Sequence, residues 1–206
     1  MNIDYHQTKP ATMDSQKHIQ NHFQQSIAVK QAILQNTQLL AEIDAVASAC
    51  VDAYKRERKL LFAGNGGSAA DAQHLAAEFV SRFNFDRPGL PAIALTTDTS
   101  MLTAIGNDYG FLQLFARQLQ ANGREGDLFF AISTSGNSKN VIEAVKQAKL
   151  MNIKTIALCG QQGELTRNCD FTLAIPSTCT PYIQESHITV GHCICGIVEQ
   201  RLFGHL

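Results

Sequence analysis

Hydrophobic positions in the first part of the chain recur with the spacing of amphipathic helices. Ile19, Phe23 and Ile27 occupy every fourth position, which predicts a helix from about Ser15 to Gln35. A second helical pattern starts at Thr37, a residue suited to capping a helix, and ends at the basic cluster KRERK. Because two such helices need a surface to cover their apolar faces, we expect the pair to contribute to an oligomer interface.

The rest of the chain alternates short apolar runs with helical patterns. The predicted strands begin at Leu60, Ala92, Leu128, Ile153 and Phe171, and a long final helix is predicted from about Tyr182 to Phe203. Strands that alternate with helices favour a parallel sheet with right-handed crossovers. The sequence therefore predicts an α/β fold with a five-stranded, doubly wound sheet of order 2-1-3-4-5 flanked by helices.

Composition and charge restrict the class of protein. With 206 residues, 45% of them hydrophobic and 17% charged, the chain suits a polar tail (residues 1–14) and a single domain (residues 15–206). A net charge of −1 provides no basic field for nucleic acid or an anionic membrane. We find no apolar leader and no run long enough to span a bilayer. Six cysteines without a C-x-x-C pair predict free thiols in a cytoplasmic protein.

A hydroxyl-rich loop follows the third predicted strand. The apolar run LFFAI is followed by STSGNS, residues 133–138, and then by a helical pattern. Small residues leave backbone N–H groups accessible at a helix N-terminus, where the helix dipole favours an anion, and the hydroxyls add donors. The Lys of a nucleotide-binding P-loop is absent. The alternative is an ordinary turn before an N-cap at Ser138.

A second loop of this kind, Gly64–Ser68, follows the first predicted strand. With Ala69 it also matches G-x-G-x-x-[GA], so a dinucleotide site is an alternative, although no acidic residue immediately ends the next strand. In the predicted strand order, both loops flank the point where the order reverses, which is where ligands bind in such sheets. We therefore expect one small phosphorylated ligand in a single crevice.

Two pairs of side chains can supply chemistry near that crevice. His74 and Glu78 lie at i and i+4 on the helix after the first loop, where they can hold a metal or substrate or form a surface ion pair. On the last helix, Gln184 and His192 lie about 80° apart in projection. The spacing alone favours Glu185 over Gln184 as the partner of His192. His192 can equally be a core histidine.

Several segments together resemble the sugar isomerase (SIS) domain family, specifically the bacterial phosphoheptose isomerases. The matching segments are Gly64–Ser68, His74–Glu78, Ala104–Tyr109, Ser133–Ser138 and Ile183–His187. The resemblance covers nearly the whole chain after the tail. It implies a flavodoxin-like α/β fold, a homotetramer that uses the two N-terminal helices, and active sites built between subunits.

The resemblance also implies an activity and a cofactor. The reaction is the aldose–ketose isomerisation of sedoheptulose 7-phosphate to D-glycero-D-manno-heptose 7-phosphate through an enediol(ate), the first step in making ADP-heptose for the lipopolysaccharide core. Glu78 is then the base and His192 its acid partner. One zinc ion per subunit is held by His74, Glu78, Gln184 and His192, which are N and O ligands that zinc accepts.

The resemblance assigns the remaining residues to substrate binding, where Glu78 and Gln184 also take part. The sugar is held by Asn65, Gly66, Gly67, Ser68, Asn107 and Asp108, and the phosphate by Ser133, Thr134, Ser135 and Ser138. Asp71 belongs near the site, or it completes a capping box with Ser68. The chain departs from the family at Tyr182, where Arg is common, so any contact made by that Arg is in doubt.

Two other functions fit parts of the pattern. Some SIS proteins bind a replication initiator or sense sugar phosphates without catalysis. The presence of all four ligand residues favours the enzyme over such a binding protein. An aminosugar-phosphate enzyme usually carries two SIS repeats or an amidotransferase domain, and we find no internal repeat.

Overall fold

The computed structural model describes residues 14–204, so the predicted tail lies almost wholly outside the described residues. The helices are α1 (Ser15–Gln35), α2 (Thr37–Lys55), α3 (Gly67–Val80), α4 (Thr99–Asp108), α5 (Leu114–Asn122), α6 (Lys139–Leu150), α7 (Leu165–Asn168) and α8 (Thr180–Phe203). The strands are β1 (Leu60–Gly64), β2 (Ala92–Ala94), β3 (Leu128–Ser133), β4 (Lys154–Gly160) and β5 (Phe171–Ile175). A 3₁₀ turn, Phe111–Gln113, precedes α5.

The five strands form one parallel sheet in the order β2-β1-β3-β4-β5, which confirms the predicted fold. Gly64 at the end of β1 pairs with Ile132 of β3, and Ser133 pairs with Cys159 of β4. The carboxyl ends of β1 and β3 therefore lie side by side where the strand order reverses. The two loops that the sequence predicts to bind a phosphate, Gly64–Ser68 and residues 133–138, begin there.

Side chains from the two faces of the sheet form two hydrophobic clusters. Phe62 and Phe130 on neighbouring strands stack with ring centroids 4.7 Å apart and pack in a cluster with α2, α3 and α8. Leu61 and Phe129, on the opposite face, pack with α5 and α6. The central strands are thus buried on both faces, which explains why they appear in the sequence as continuous apolar runs rather than alternating ones.

Two predicted helix caps are wrong. Asn36, not Thr37, caps α2, because its Oδ1 accepts a hydrogen bond from the Leu39 N–H at 3.0 Å. Gly66, with φ of 55°, is the N-cap of α3. Ser68 therefore lies inside the first turn, and the capping box expected between Ser68 and Asp71 does not form.

Helix α1 packs lightly on the domain. Val29 is its only buried residue within the part of the chain that the structure describes. Three polar contacts join it to α8: Ser26 donates to Glu185, Lys30 Nζ lies 2.7 Å from Glu185 Oε1, and the hydroxyl of Tyr182 lies 3.2 Å from His22 Nδ1. Large apolar side chains on α1 are exposed, namely Ile19, Phe23, Ile27 and Leu34. Among the described helices, none has the length and apolar character needed to cross a membrane.

Candidate active site

The first side of the site is the loop between β1 and α3. Gly64 lies so close to the loop that a Cβ there would be 2.7 Å from the Cβ of Ser68. Asn65 is held by Asn140 of α6 through two reciprocal amide hydrogen bonds of 2.9 and 3.0 Å. Asn65 also lines the cavity beside this loop, together with Gly64 and Gly66.

The second side is the hydroxyl-rich loop between β3 and α6. Ser133 Oγ lies 2.8 Å from Ser138 Oγ and 3.5 Å from Ser135 Oγ, and Ser135 Oγ accepts from the Asn137 N–H at 3.2 Å. Ser138 occupies the N-cap position of α6 but its hydroxyl makes no capping bond. Ser138 thus lies where an ordinary N-cap residue would, but its hydroxyl contacts Ser133 instead of capping the helix. Clustered hydroxyls at the N-terminus of a 12-residue helix suit an anion.

Thr134 belongs to the same loop and lies beside the loops that follow β4 and β5. Its carbonyl accepts from the Gly160 N–H at 3.1 Å. Together with Ser135 and Asn137 it lines a cavity of about 260 Å³ that extends to Ser177, between β5 and α8. The loops after β3, β4 and β5 thus enclose this end of the crevice.

Three side chains converge on α3 and α8. The Nε2 atoms of His74 and His192 lie 2.9 Å apart, and His74 Nε2 lies 3.1 Å from Glu78 Oε1. One ligand atom from each residue lies within 4.8 Å of the others. The predicted surface pair of His74 and Glu78 is therefore joined by a third donor from another helix. Two imidazoles and a carboxylate at this spacing fit a divalent metal ion such as zinc.

Gln184 approaches the same region through Asp71. The Gln184 Nε2 donates to Asp71 Oδ1 at 2.5 Å, so the Gln184 carbonyl oxygen is left as its free ligand atom. Gln184 also packs on Gly67, where a Cβ would lie 3.4 Å from its Cγ. Burial raises the pKa of Asp71 to about 6. The hydrogen bond from Gln184 and the nearby His74 act to lower this pKa, but burial has the larger effect. The other oxygen of Asp71 has no hydrogen-bond partner among the described residues.

Glu185, which the spacing alone favoured, turns away from α3. It accepts hydrogen bonds from Lys30 and Ser26 of α1. Burial by itself would raise the pKa of the Glu185 carboxyl group. The contacts with Lys30 and Ser26 outweigh burial, so this pKa lies below its usual value. Glu185 therefore ties α8 to α1, while Gln184 faces α3.

The residues at the end of α4 remain apart from the converging side chains. Asn107 Nδ2 donates to Asp108 Oδ1 at 2.8 Å, and both residues are exposed. The neighbouring Gly106, with Gly66 and Thr103, lines an apolar cavity of about 300 Å³ beside the first loop. Asn107 and Asp108 do not line this cavity, so the structure places them near the crevice without bringing them to the cluster.

The sequence interpretation missed several residues that support the site. Asn140 is one, and its signal was a polar side chain on the otherwise apolar face of α6. Arg87 and Glu199 form a buried ion pair between α8 and the segment after α3. Their signal was weaker, because single charged residues are common on surfaces.

Comparison with known proteins identifies the family to which the chain is similar. The SIS domain family matches residues 22–160. The chain is 58% identical to the phosphoheptose isomerase of Aneurinibacillus thermoaerophilus over 187 residues, which cover 90% of this chain and 94% of that protein. It is 57% identical to phosphoheptose isomerase 2 of Campylobacter jejuni over 188 residues, covering 91% and 94%. The structure of a phosphoheptose isomerase from Francisella tularensis matches with a TM-score of 0.87 at 40% identity, covering 91% of this chain and all 100% of that one.

These matches confirm the family resemblance inferred from the motifs, and they extend over most of the chain rather than over the loops alone. The similarity in structure likewise extends over nearly the whole α/β domain. The protein belongs to the phosphoheptose isomerase family of SIS-domain enzymes.

Proposed function

We propose that the enzyme interconverts sedoheptulose 7-phosphate and D-glycero-D-manno-heptose 7-phosphate, the first step in making ADP-heptose for the lipopolysaccharide core. The substrate class is taken from the relatives that are named phosphoheptose isomerases. The observation that carries the proposal is the meeting of His74, Glu78 and His192 on α3 and α8. A non-catalytic SIS protein has no need of this arrangement.

The distance between the loops and the cluster suits an elongated ligand. His74 lies seven residues along α3 from Gly67, which corresponds to about 10 Å along the helix axis. A ligand whose phosphate lies at the hydroxyl-rich loop must therefore extend past the first loop to reach the cluster. A sugar phosphate in its open-chain form has such a shape, with the phosphate at one end and the carbonyl at the other.

In the ketose-to-aldose direction, Glu78 takes a proton from C1 of the substrate. The C–H electrons form a C1=C2 double bond, and the C2 carbonyl oxygen takes up a proton, which gives the enediol. Return of a proton to C2 and loss of the proton on O1 complete the aldose. His192, on the helix opposite Glu78, serves as the acid partner in these transfers.

His74, Glu78, Gln184 and His192 would hold one zinc ion per subunit, which would supply a Lewis acid for the substrate oxygens. Glu78 can serve both as ligand and as base because a carboxylate has two oxygens. In this structure Oε1 faces His74, so Oε2 is available to accept the proton.

We further propose that the enzyme is a cytoplasmic homotetramer whose active sites lie between subunits. The exposed apolar side chains of α1 support an interface there, with Phe23 63% and Leu34 71% exposed. Six cysteines without a disulfide support a reducing compartment. The sugar-binding roles of Asn107 and Asp108 also belong to the proposal, as the tetramer brings further surfaces to the crevice.

The proposal is tested by incubating the protein with sedoheptulose 7-phosphate in D₂O and following the products by NMR. Wild-type enzyme should form the aldose and exchange carbon-bound hydrogen with solvent, since the enediol route passes that proton through an exchangeable group. Glu78→Gln keeps the shape of the side chain but cannot accept the proton. Its turnover should fall by at least about 10²-fold, and zinc content must be measured in the same sample.

Glu143→Gln is the matched control, because Glu143 is a partly exposed residue of α6 whose one ion pair with a described residue is that with Lys146, at 3.2 Å. It should isomerise like wild type. Normal turnover in Glu78→Gln would refute the assignment of the base. If the wild-type protein binds heptose phosphates without converting any of them, the alternative of a SIS binding protein is the better one.

A further inference from the structure

A buried ion pair links the two helices that carry the metal-binding cluster. Arg87 Nε lies 3.1 Å from Glu199 Oε1, and both side chains are 1% exposed. Arg87 lies in the segment between α3 and β2, and Glu199 lies on α8. Buried charges are costly unless their hydrogen-bonding groups are satisfied. The partners that satisfy this pair therefore show what the pair holds in place.

Arg87 binds the end of α3, the helix that carries Glu78. Its Nη2 donates to the carbonyl of Glu78 at 2.9 Å, and Nη1 donates to the carbonyl of Phe79 at 2.7 Å. Carbonyls in the last turn of a helix lack partners within the helix, and a cation there also complements the dipole. The guanidinium thus fixes the turn that contains the proposed base.

Glu199 holds the segment that follows α3. It accepts the N–H of Phe83 at 2.9 Å and that of Asn84 at 2.6 Å. The Phe83 ring in turn lies 5.4 Å from the His192 ring, between centroids. Glu199 follows His192 by seven residues, or two turns, so both side chains lie on the same side of α8. The carboxylate therefore fixes a ring that packs against His192.

We propose that Arg87 and Glu199 are positioning residues that set the spacing between Glu78 on α3 and His192 on α8. The inference rests on the proposed function, because it concerns the same cluster. Neither residue supplies an atom to that cluster. Arg87 acts through the backbone of Glu78, and Glu199 acts through Phe83. Residues that orient metal ligands in this way typically change metal affinity by 10–100-fold when they are substituted.

The ionisation of Glu199 agrees with this role. Burial by itself would raise the pKa of the carboxyl group. The N–H groups of Phe83 and Asn84 and the Arg87 guanidinium outweigh burial, so the pKa of Glu199 lies below its usual value. The pair is accordingly charged at neutral pH, where its hydrogen bonds are strongest.

A purely structural ion pair would stabilise the fold without affecting the cluster, and the chain contains a matched control. Asp127 is also 1% exposed, pairs with Lys59 Nζ at 2.7 Å and accepts two backbone N–H groups, those of Lys59 and Arg124. It lies just before β3, at the amino-terminal edge of the sheet. Asp127→Asn and Glu199→Gln therefore make the same chemical change, but only the Glu199 pair lies on α8 and binds the end of α3.

The experiment measures zinc affinity against a chromophoric chelator, with each protein folded and well below its unfolding midpoint. Both Glu199→Gln and Asp127→Asn should lower the thermal midpoint. Only Glu199→Gln should raise the Kd for zinc, by about 10-fold or more. Arg87→Lys keeps the charge but not the planar fork, so it should weaken zinc binding as well. For both variants, kcat should fall more than KM rises, because the phosphate loop is unchanged.

Wild-type zinc affinity in Glu199→Gln and Arg87→Lys would overturn the inference, and so would equal weakening in Asp127→Asn. If the single variants do not fold, Arg87→Met combined with Glu199→Leu removes both charges and keeps apolar volume, a change that folded proteins often tolerate. That protein should also bind zinc at least about 10-fold more weakly. A wild-type protein that binds no zinc would instead refute the metal site in the proposed function.

Discussion

Asn65 and Asn140 exchange two side-chain hydrogen bonds between the loop after β1 and the first turn of α6. Each amide donates one N–H through Nδ2 and accepts through Oδ1, so each uses a donor and an acceptor on a single partner. Asn140 is buried, and it follows the hydroxyl-rich loop by two residues. The pair therefore ties the two loops of the crevice together and sets the distance between the groups proposed to bind sugar and phosphate.

Asn140→Ala should raise the KM for the sugar phosphate by about 10-fold, since removing one partner leaves the other unsatisfied at roughly 1–3 kcal/mol. If Asn140 acts through Asn65, the loss of binding free energy in the double variant Asn65→Ala/Asn140→Ala should be clearly smaller than the sum of the losses in the two single variants. Steady-state kinetics of the three variants measure this. Asn122→Ala, which loses an amide bond to the Gln118 carbonyl on α5, is the control. Additive effects would argue against coupling between the loops.

Ser135→Ala should weaken binding of the phosphate end and leave the fold intact. Ser135 is exposed, and its hydroxyl accepts from the Asn137 N–H and lies 3.5 Å from Ser133 Oγ. Loss of a hydrogen bond to a charged phosphate oxygen costs about 1.5–3 kcal/mol, or roughly 10- to 150-fold in affinity. Calorimetric titration with the sugar phosphate measures the change. Ser48→Ala on α2 should have no effect, and unchanged affinity in Ser135→Ala would exclude this loop as the phosphate site.

His74→Ala should abolish stoichiometric zinc, because His74 contributes the atom that lies close to both other members of the cluster. Dialysis of the wild-type protein against a chelator should lower activity, and zinc should restore it. Metal analysis of the purified proteins measures both effects. His18→Ala, a change at an exposed histidine of α1, is the control. Full zinc occupancy in His74→Ala would contradict the proposed ligand set.

His187 should make the fold sensitive to mild acid. It is fully buried on α8, and neither ring nitrogen makes a well-formed hydrogen bond with a described residue. Burial lowers the pKa of His187 from 6.5 to about 4, opposed only in part by the nearby backbone of Cys159. The unfolded chain therefore binds a proton between these pH values that the folded chain does not. Stability should fall as the pH drops through this window, by about 3 kcal/mol from this residue.

Urea denaturation at about pH 7 and about pH 4.5 checks this prediction. His187→Gln removes the titrating group, so its free energy of unfolding should depend less on pH than that of the wild type. His18→Gln changes an exposed histidine and should keep the wild-type dependence. Equal pH dependence in wild type and His187→Gln would show that protonation of His187 does not contribute to the loss of stability in acid.

Much of the fold was predictable because its signals are local. The spacing of apolar residues predicted α1 from Ser15 to Gln35 and β5 from Phe171, as observed. Caps were less predictable. Asn36 and Thr37 are adjacent and both can cap a helix, so which one does depends on where the chain turns. The short helix α7 had no apolar repeat long enough to reveal it.

The sequence by itself determined the order of strands and helices and the nature of the two loops, since periodicity and turn residues act over a few positions. Tertiary structure alone decided which side chains meet. Asn65 and Asn140 are 75 residues apart, and Arg87 and Glu199 are 112 apart. The choice between Gln184 and Glu185 likewise depended on packing. Adjacent residues of a helix differ by 100° in direction, and only the docking of α8 between α3 and α1 shows which helix each one faces.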